Sequence, residues 1–389
     1  MHPIESIRAE LAELTNRGLL RRMRPVDGAN QAELTVDGRA VLNFSSNNYL
    51  GLANDASLVS ALCASAASGG FGAAGSRLVS GSVAPHRELE QKLASWLGVE
   101  RALLFNSGYQ ANVGVLSALL RPGDAVFSDA LNHASLIDGC RLSRADIHVY
   151  PHSDVAALRV LLARSHASRK VVLTESVFSM DGDAAPLADL GAVCRSAGAL
   201  LLVDEAHAVG VLGPRGVGLS GGVADLVVGT FGKAFGGCGA YVAGPEPVIE
   251  LIAQRARSFL FSTALPGLIS SGNAAALTFI ASDAGDARRS AVAARCSQLA
   301  AGLRELGLST VSRSHIQPLL MLDPDPHAVM QLSETLLRRG LFVQGIRPPT
   351  VPRGTSRLRI TLMATHTEGH VAELLGALSQ VRNELSGAT

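Results

Sequence analysis

The sequence predicts an α/β fold: a large domain built on a mostly parallel central sheet, followed by a smaller C-terminal α/β domain. Three observations lead there. Short, unbroken apolar runs bounded by glycine or charge recur, as in Ala199-Leu200-Leu201-Leu202-Val203 and Leu226-Val227-Val228. Such runs read as strands buried on both faces. From Glu88 onward, helical patterns alternate with these runs, which argues for a parallel sheet. After Gly244 the chain turns to long helices before strands return. The expected division is a helix and arm over 1–50, a large domain over 51–283 and a small domain over 284–389.

The bulk numbers narrow the class. The chain has 389 residues, 47% hydrophobic and 17% charged, enough for large buried surfaces. A net charge of +1 with no long basic run argues against a nucleic-acid footprint. Five scattered cysteines with no CxxC pair indicate neither a zinc site nor a disulfide framework, so reduced thiols in a cytoplasmic protein are expected, with no metal. The first residues carry acids early and no apolar core, so no signal peptide is expected. No stretch approaches about 20 uninterrupted apolar residues, so no membrane span is expected either.

Taken in order, Ile4, Ile7, Leu11 and Leu14 repeat at helical spacing and predict an amphipathic helix that serves as a docking arm. Arg21, Arg22 and Arg24 follow; a solvated face is the plain reading and anion capture the alternative. A short strand precedes the turn-rich segment 43–51. Leu89, Leu93, Trp96 and Leu97 mark a helix, and 102–105 a strand. Asn106-Ser107-Gly108-Tyr109 opens the next helix, and a glycine turn there presents free N–H groups suited to a phosphate. Strands follow at 125–127, 147–150, 171–174 and 200–203, with a helix starting at Asn132-His133-Ala134-Ser135. Helices are expected near 267–280 and 286–306, then a strand at 319–322, a helix ending at Arg338 and a strand at 357–363. The prolines of 348–352 stiffen the loop before that last strand.

The chemistry concentrates in 199–237. One apolar run ends in Asp204-Glu205-Ala206-His207, and the next leads into Gly229-Thr230-Phe231-Gly232-Lys233-Ala234-Phe235-Gly236-Gly237. Ligands of open α/β sheets bind at the carboxyl ends of the strands, where these residues fall. A lysine that loses its charge readily forms a Schiff base with a carbonyl. An aspartate beside a pyridine nitrogen keeps that nitrogen protonated. Pyridoxal 5'-phosphate (PLP) needs both, and His207 lies within reach of its phenolic oxygen. The glycines around Lys233 are expected to let the backbone approach the cofactor closely.

Three literal motif matches fail on context. DEAH at 204–207 suggests a helicase, but the only GK pair, Gly232-Lys233, lies downstream and lacks the glycine spacing of a phosphate loop. Gly70-Phe71-Gly72-Ala73-Ala74-Gly75 satisfies GxGxxG, yet no strand precedes it, so it reads as a loop without NAD. Gly218-Leu219-Ser220-Gly221-Gly222 matches GxSxG but follows a turn rather than a strand.

Together the strings LNFSSNNYLGL, GSRLVSGS, LLFNSGYQAN, NHASLIDG, TESVFSMDGD, LLVDEAHAVGVLGPRGVG, TFGKAFG and RLRITLMATH resemble the α-oxoamine synthases, a branch of the PLP-dependent fold type I enzymes. The resemblance runs over nearly the whole chain, with the motifs in order. Within the branch, the segment 346–361 is most similar to members that condense L-alanine with a pimeloyl thioester, releasing carbon dioxide and the thiol carrier. The resemblance implies that Lys233 holds PLP as a Schiff base, Asp204 pairs with the ring nitrogen and His207 with the phenolic oxygen. It implies that His133 stacks on the ring, that Gly108 and Tyr109 touch the cofactor, and that Thr230 bonds its phosphate. Ser179 would lie near its polar edge. Asn47 and Arg359 would hold the amino-acid carboxylate, an anion that an arginine fork matches bidentately. Arg21 and Thr350 would line the acyl site, whose ligand ends in a carboxylate. Ser262-Thr263 resembles a segment that reaches a neighbouring subunit's phosphate, so a homodimer is expected. Ala73-Ala74 stands where the family is often richer in glycine, and Cys238 follows the lysine loop; neither removes a catalytic group. Two alternatives stay open: a sister enzyme using glycine with acetyl or succinyl thioesters, and a non-catalytic partner subunit, which tends to lose the lysine.

Overall fold

The computed structural model describes residues 2–308, 310 and 312–385. They form two units: Leu52–Ser179 with Ala184–Arg289, and the residues up to Gly51 with Met180–Asp183 and those from Ser290 on.

The first unit is organised by a seven-stranded sheet. Its spatial order is Arg101–Phe105, Ala240–Gly244, Leu226–Thr230, Leu200–Asp204, Lys170–Glu175, Ala125–Asp129 and Asp146–Tyr150. The five strands from Leu226–Thr230 to Asp146–Tyr150 are parallel; Ala240–Gly244 runs antiparallel to both of its neighbours. Leu201, Leu202 and Val203 are fully buried, as are Val171, Val172 and Leu173 beside them. Burial on both faces is why these segments read as unbroken apolar runs. Helices Gly108–Leu119 and Ala134–Ser143 pack through Val115, Leu116, Leu136 and Cys140. Four adjacent parallel strands end in Asp129, Glu175, Asp204 and Thr230, so the sheet delivers its polar groups to one edge.

The GxGxxG segment follows the helix Ala56–Gly69, not a strand, and the GxSxG segment lies in turns. Ser220 there is buried, with its N–H donating to Glu205 Oε1 at 2.6 Å. Ala74 sits at φ 54°, in the left-handed region that favours glycine. A residue with a Cβ at this position carries backbone strain.

The second unit has a three-stranded antiparallel sheet, Ile316–Leu320, Arg357–Thr361 and Gln344–Ile346 in that order. Leu319, Leu358 and Ile360 pack there with Leu332 and Leu336 of helix Pro326–Arg338 and Leu374 and Leu378 of helix Glu368–Val381. The N-terminal segment adds a hairpin of Glu33–Val36 and Arg39–Asn43, extended in parallel by Leu341–Phe342. Helix Pro3–Asn16 buries none of its side chains in this chain; Ile4, Ile7, Leu11 and Leu14 remain exposed. Among the described residues no helix is long and apolar enough to cross a membrane.

Candidate active site

The lysine loop is held by its own backbone. Phe231 N–H donates to Gly239 O, Gly237 N–H to Phe231 O and Gly236 N–H to Lys233 O, all between 2.8 and 2.9 Å. Thr230 hydroxyl donates to Gly239 O at 3.0 Å and accepts from Gly232 N–H at 3.2 Å, so here it closes the loop. The glycines answer mainly to packing. Gly236 has φ 68° and a Cβ there would lie 2.3 Å from Ala53 N; one on Gly237 would lie 2.1 Å from Asn273 Oδ1. Only Gly232 leaves the room expected for a bound molecule, with nothing nearer than 3.6 Å. From this loop, Lys233 Nζ meets Nε2 of the buried His207 at 2.7 Å.

Asp204 is the last residue of its strand and is buried. Its Oδ2 accepts from Asn112 Nδ2 at 2.7 Å and its Oδ1 from Ala206 N–H at 2.9 Å. Asn112 lies on helix Gly108–Leu119, whose first turn is capped by Ser107 accepting from Gln110 N–H. The second amide proton of Asn112 reaches Ser135 Oγ at 2.9 Å, and Ser135 Oγ lies 2.8 Å from His133 Nδ1. His133 caps helix Ala134–Ser143 by accepting from Ser135 N–H at Nδ1. The imidazole is otherwise exposed, yet desolvation outweighs the nearby Asp204 charge and holds its pKa below the ordinary value. Gly108 is half-buried at the helix start; Tyr109 is exposed, with its hydroxyl donating to Asp138.

Glu175 sits beside Asp204 in the parallel ladder and is almost fully buried. Burial first, and the Asp204 charge second, push its pKa up to about 8, against the pull of Lys233 and of the His133 and Ser179 N–H groups. Its Oε1 has no hydrogen-bond partner. Burial and the neighbouring carboxylate together favour a protonated Glu175 near neutrality. Folded Glu175 keeps a proton that the unfolded residue gives up near pH 4.5, so stability falls as pH rises from there to about 8. Glu175→Gln is expected to flatten that slope and to melt a few degrees above the parent at about pH 8. Parallel melting profiles for the two proteins would contradict this protonation state.

The other site residues gather in the second unit. Arg359, buried in the strand Arg357–Thr361, donates from both terminal nitrogens to Asn47 Oδ1 at 3.3 and 3.4 Å. Tyr49 hydroxyl donates to the same oxygen at 2.9 Å, and burial pushes its own pKa up to about 12. The oxygen of Asn47 thus accepts from both side chains, and its amide nitrogen carries the remaining donors. Arg21 donates to Thr350 Oγ1 at 3.0 Å. Both line a cavity of about 330 Å³ with Leu20, Met330, Phe342 and Arg347. Arg347 is buried, donates to Leu20 O at 2.8 Å and has no partner for Nε. Burial and the neighbouring Arg21 lower its pKa. Arg24, by contrast, is spent on Asp37 and Glu334, and Arg22 approaches Asp37.

The structure therefore brings His133, Asp204, His207 and Lys233 into one unit with Gly108, Tyr109, Thr230 and the half-buried Ser179, and pairs Asn47 with Arg359 and Arg21 with Thr350 in the other. Sequence reasoning missed Asn112, Ser135, Glu175, Tyr49 and Arg347. Each lies within or next to a quoted motif, but nothing in its residue type marks it. The donor set suits an aldehyde cofactor with a pyridine ring. Such a group asks for one amine and one anion held out of water, and Lys233 with His207 and Asp204 with Asn112 supply them.

Residues 39–378 match the family described as aminotransferase class I and II. An 8-amino-7-oxononanoate synthase from Anaeromyxobacter dehalogenans is 48% identical over 391 residues, covering 99% of this chain and 97% of the relative. A variant of a serine palmitoyltransferase from S. paucimobilis, solved with a bound PLP–myriocin aldimine, superposes with a TM-score of 0.91 at 30% identity over 98% of both chains. An 8-amino-7-oxononanoate synthase from Francisella tularensis superposes with a TM-score of 0.76 at 27% identity, over 88% of this chain and 98% of that one.

Proposed function

This chain belongs to the aminotransferase class I and II family and, within it, to the α-oxoamine synthases of PLP-dependent fold type I; from that premise we propose that it acts as an 8-amino-7-oxononanoate synthase. The reaction joins L-alanine to a pimeloyl thioester, on coenzyme A or a carrier protein, with loss of carbon dioxide, as a step of biotin synthesis. The cofactor is PLP. Lys233 would hold it through the side-chain amine, His207 and Asp204 would serve its polar ring atoms, and Gly108, Tyr109, Ser179 and Thr230 would supply its remaining contacts. When bound, PLP supplies an electron-poor ring that takes up the electron pair released at the α carbon of alanine.

The chain's own residues do the rest. Arg359 and the Asn47 amide bind the alanine carboxylate and fix the rotation about the α carbon, which decides which bond breaks. Once the incoming amine of alanine has displaced it from the cofactor, Lys233 Nζ would take the α proton and later return one to the product, with His207 Nε2 beside it at 2.7 Å to receive a hydrogen bond. Asp204 holds a proton on the ring nitrogen, and Asn112 keeps that carboxylate in place. His133 donates to the acyl substrate.

The acyl assignment rests on one observation: the cavity of Arg21, Arg347 and Thr350 holds a buried guanidinium with an unpartnered nitrogen. That chemistry suits a chain ending in a carboxylate and penalises a wholly apolar one, which would leave the charge buried and unmatched. A homodimer with a shared active site and a cytoplasmic location complete the reading, both supported by the family resemblance. Thiol release measured over a substrate panel tests it. L-alanine with a pimeloyl thioester is expected to exceed glycine with acetyl or succinyl thioesters, and serine with a palmitoyl thioester, by on the order of 10²-fold. Equal or faster turnover of any of those pairs would overturn the substrate assignment.

A further inference from the structure

We propose that Asn112 and Ser135 form a fixed hydrogen-bond chain from Asp204 to His133 which places the imidazole proton on Nε2, so that His133 meets the acyl substrate as a hydrogen-bond donor. The use of that donor rests on the proposed reaction; the chain of bonds does not.

The assignment follows from donor counting. An ionised Asp204 only accepts. The Asn112 atom 2.7 Å from its Oδ2 must therefore be the amide nitrogen, since the flipped amide would set two acceptors against each other. Asn112 Oδ1 is then left buried without a partner, a cost the structure accepts to keep both amide protons in use. The second proton points at Ser135 Oγ, 2.9 Å away, so this hydroxyl accepts from Asn112. Its single proton is free for His133 Nδ1 at 2.8 Å. Ser135 N–H points at the same Nδ1 from 3.3 Å.

With two donors aimed at it, Nδ1 keeps its lone pair and Nε2 carries the proton. The helix supports the same state. His133 caps the N-terminus of Ala134–Ser143, where the positive end of the dipole disfavours an imidazolium. Asn112 and Ser135 are each about 1% exposed, so water does not compete for these bonds. Both protein contacts of the imidazole go to Nδ1, Nε2 has no protein partner among the described residues, and His133 is exposed. Asn112 and Ser135 are thus positioning residues. They act through His133 and Asp204 and couple the orientation of one to the charge of the other.

The test is nitrogen NMR on holoenzyme carrying ¹⁵N-labelled histidine, with the His133 signals identified by their loss in His133→Gln. An unprotonated Nδ1 and a protonated Nε2 are expected. Ser135→Ala should give a mixture of tautomers and lower kcat on the order of 10-fold with little change in the KM for alanine. Ser135→Thr, which keeps the hydroxyl, should restore both the tautomer and the rate. A proton on Nδ1 in the parent holoenzyme overturns the proposal, as does a Ser135→Ala protein with an unchanged tautomer and an unchanged kcat. The tautomer is read without any substrate, so a wrong substrate assignment would leave this result standing and would be told apart from it.

Discussion

Lys233→Ala is expected to abolish turnover, by on the order of 10⁴-fold or more, while leaving the fold intact. The loop does not depend on the lysine side chain. Its shape comes from the backbone bonds of Phe231, Gly236 and Gly237, from Thr230 and from the buried Phe231 and Phe235. The lost group is the amine 2.7 Å from His207, which both anchors the cofactor and moves the α proton. The chain makes the assay unusually clean, because it has only three lysines, Lys92, Lys170 and Lys233. Lys92 is exposed on a helix, and Lys170 reaches Ala197 O at 3.4 Å at the opposite end of its strand from Glu175. Borohydride reduction of the parent should fix PLP on the peptide containing Lys233 and on no other, and the variant should carry no fixed PLP. Turnover near the parent rate, or an adduct on Lys92 or Lys170, would contradict the role given to Lys233.

Asp204→Asn is expected to fold and still bind PLP but to lose on the order of 10³-fold in kcat, about 4 kcal/mol of barrier. The substitution changes charge with little change in shape. It is also imperfect as a hydrogen-bond mimic. Asn112 Nδ2 and Ala206 N–H both donate to Asp204, and an amide has only one oxygen to offer them. Some of the loss will therefore be positional. Asn112→Ala separates the two effects, because it removes one donor and leaves the carboxylate. A loss much smaller than that of Asp204→Asn is expected. A kcat for Asp204→Asn within about 2-fold of the parent would show that no charge is needed opposite the ring nitrogen.

The sheet was legible because its strands are buried on both faces. Leu200–Asp204, Leu226–Thr230 and Lys170–Glu175 are apolar almost throughout, and each ends where the polar residues begin. Ala240–Gly244 was not legible. Its sequence, Ala-Tyr-Val-Ala-Gly, follows the glycine loop so closely that it reads as the loop's end, and no pattern within it reports its antiparallel direction. The hairpin before Asn43 carried a usable turn signal, Asp37-Gly38, with both residues at positive φ. The strand expected at 319–322 begins earlier, at Ile316, because Pro318 sits within Ile316–Leu320 and masks its start. Helix Ala56–Gly69 is rich in alanine and serine and offers little contrast between faces.

At the site, the residues with distinctive chemistry could be found, and those that hold them in place could not. Lys233 stands out in a glycine loop, and Asp204 and His207 at a strand end. Asn112 lies 92 residues from Asp204 and 23 from Ser135, and its neighbours in sequence are ordinary helix formers. The packing of helix Gly108–Leu119 against Ala134–Ser143 brings Asn112 to Ser135, and its place beside the end of strand Leu200–Asp204 brings Asn112 to Asp204. Glu175 reads as the polar end of a buried strand; its protonation comes first from burial and second from Asp204 in the neighbouring strand.

Mass spectrometry of the product from L-alanine labelled with carbon-13 at the carboxyl carbon, supplied with a pimeloyl thioester, tests the central claim most directly. The account predicts 8-amino-7-oxononanoate without the label, and all of the label in carbon dioxide. A product that retains the labelled carboxyl, or alanine consumed with no carbon–carbon bond to the acyl group, would contradict it.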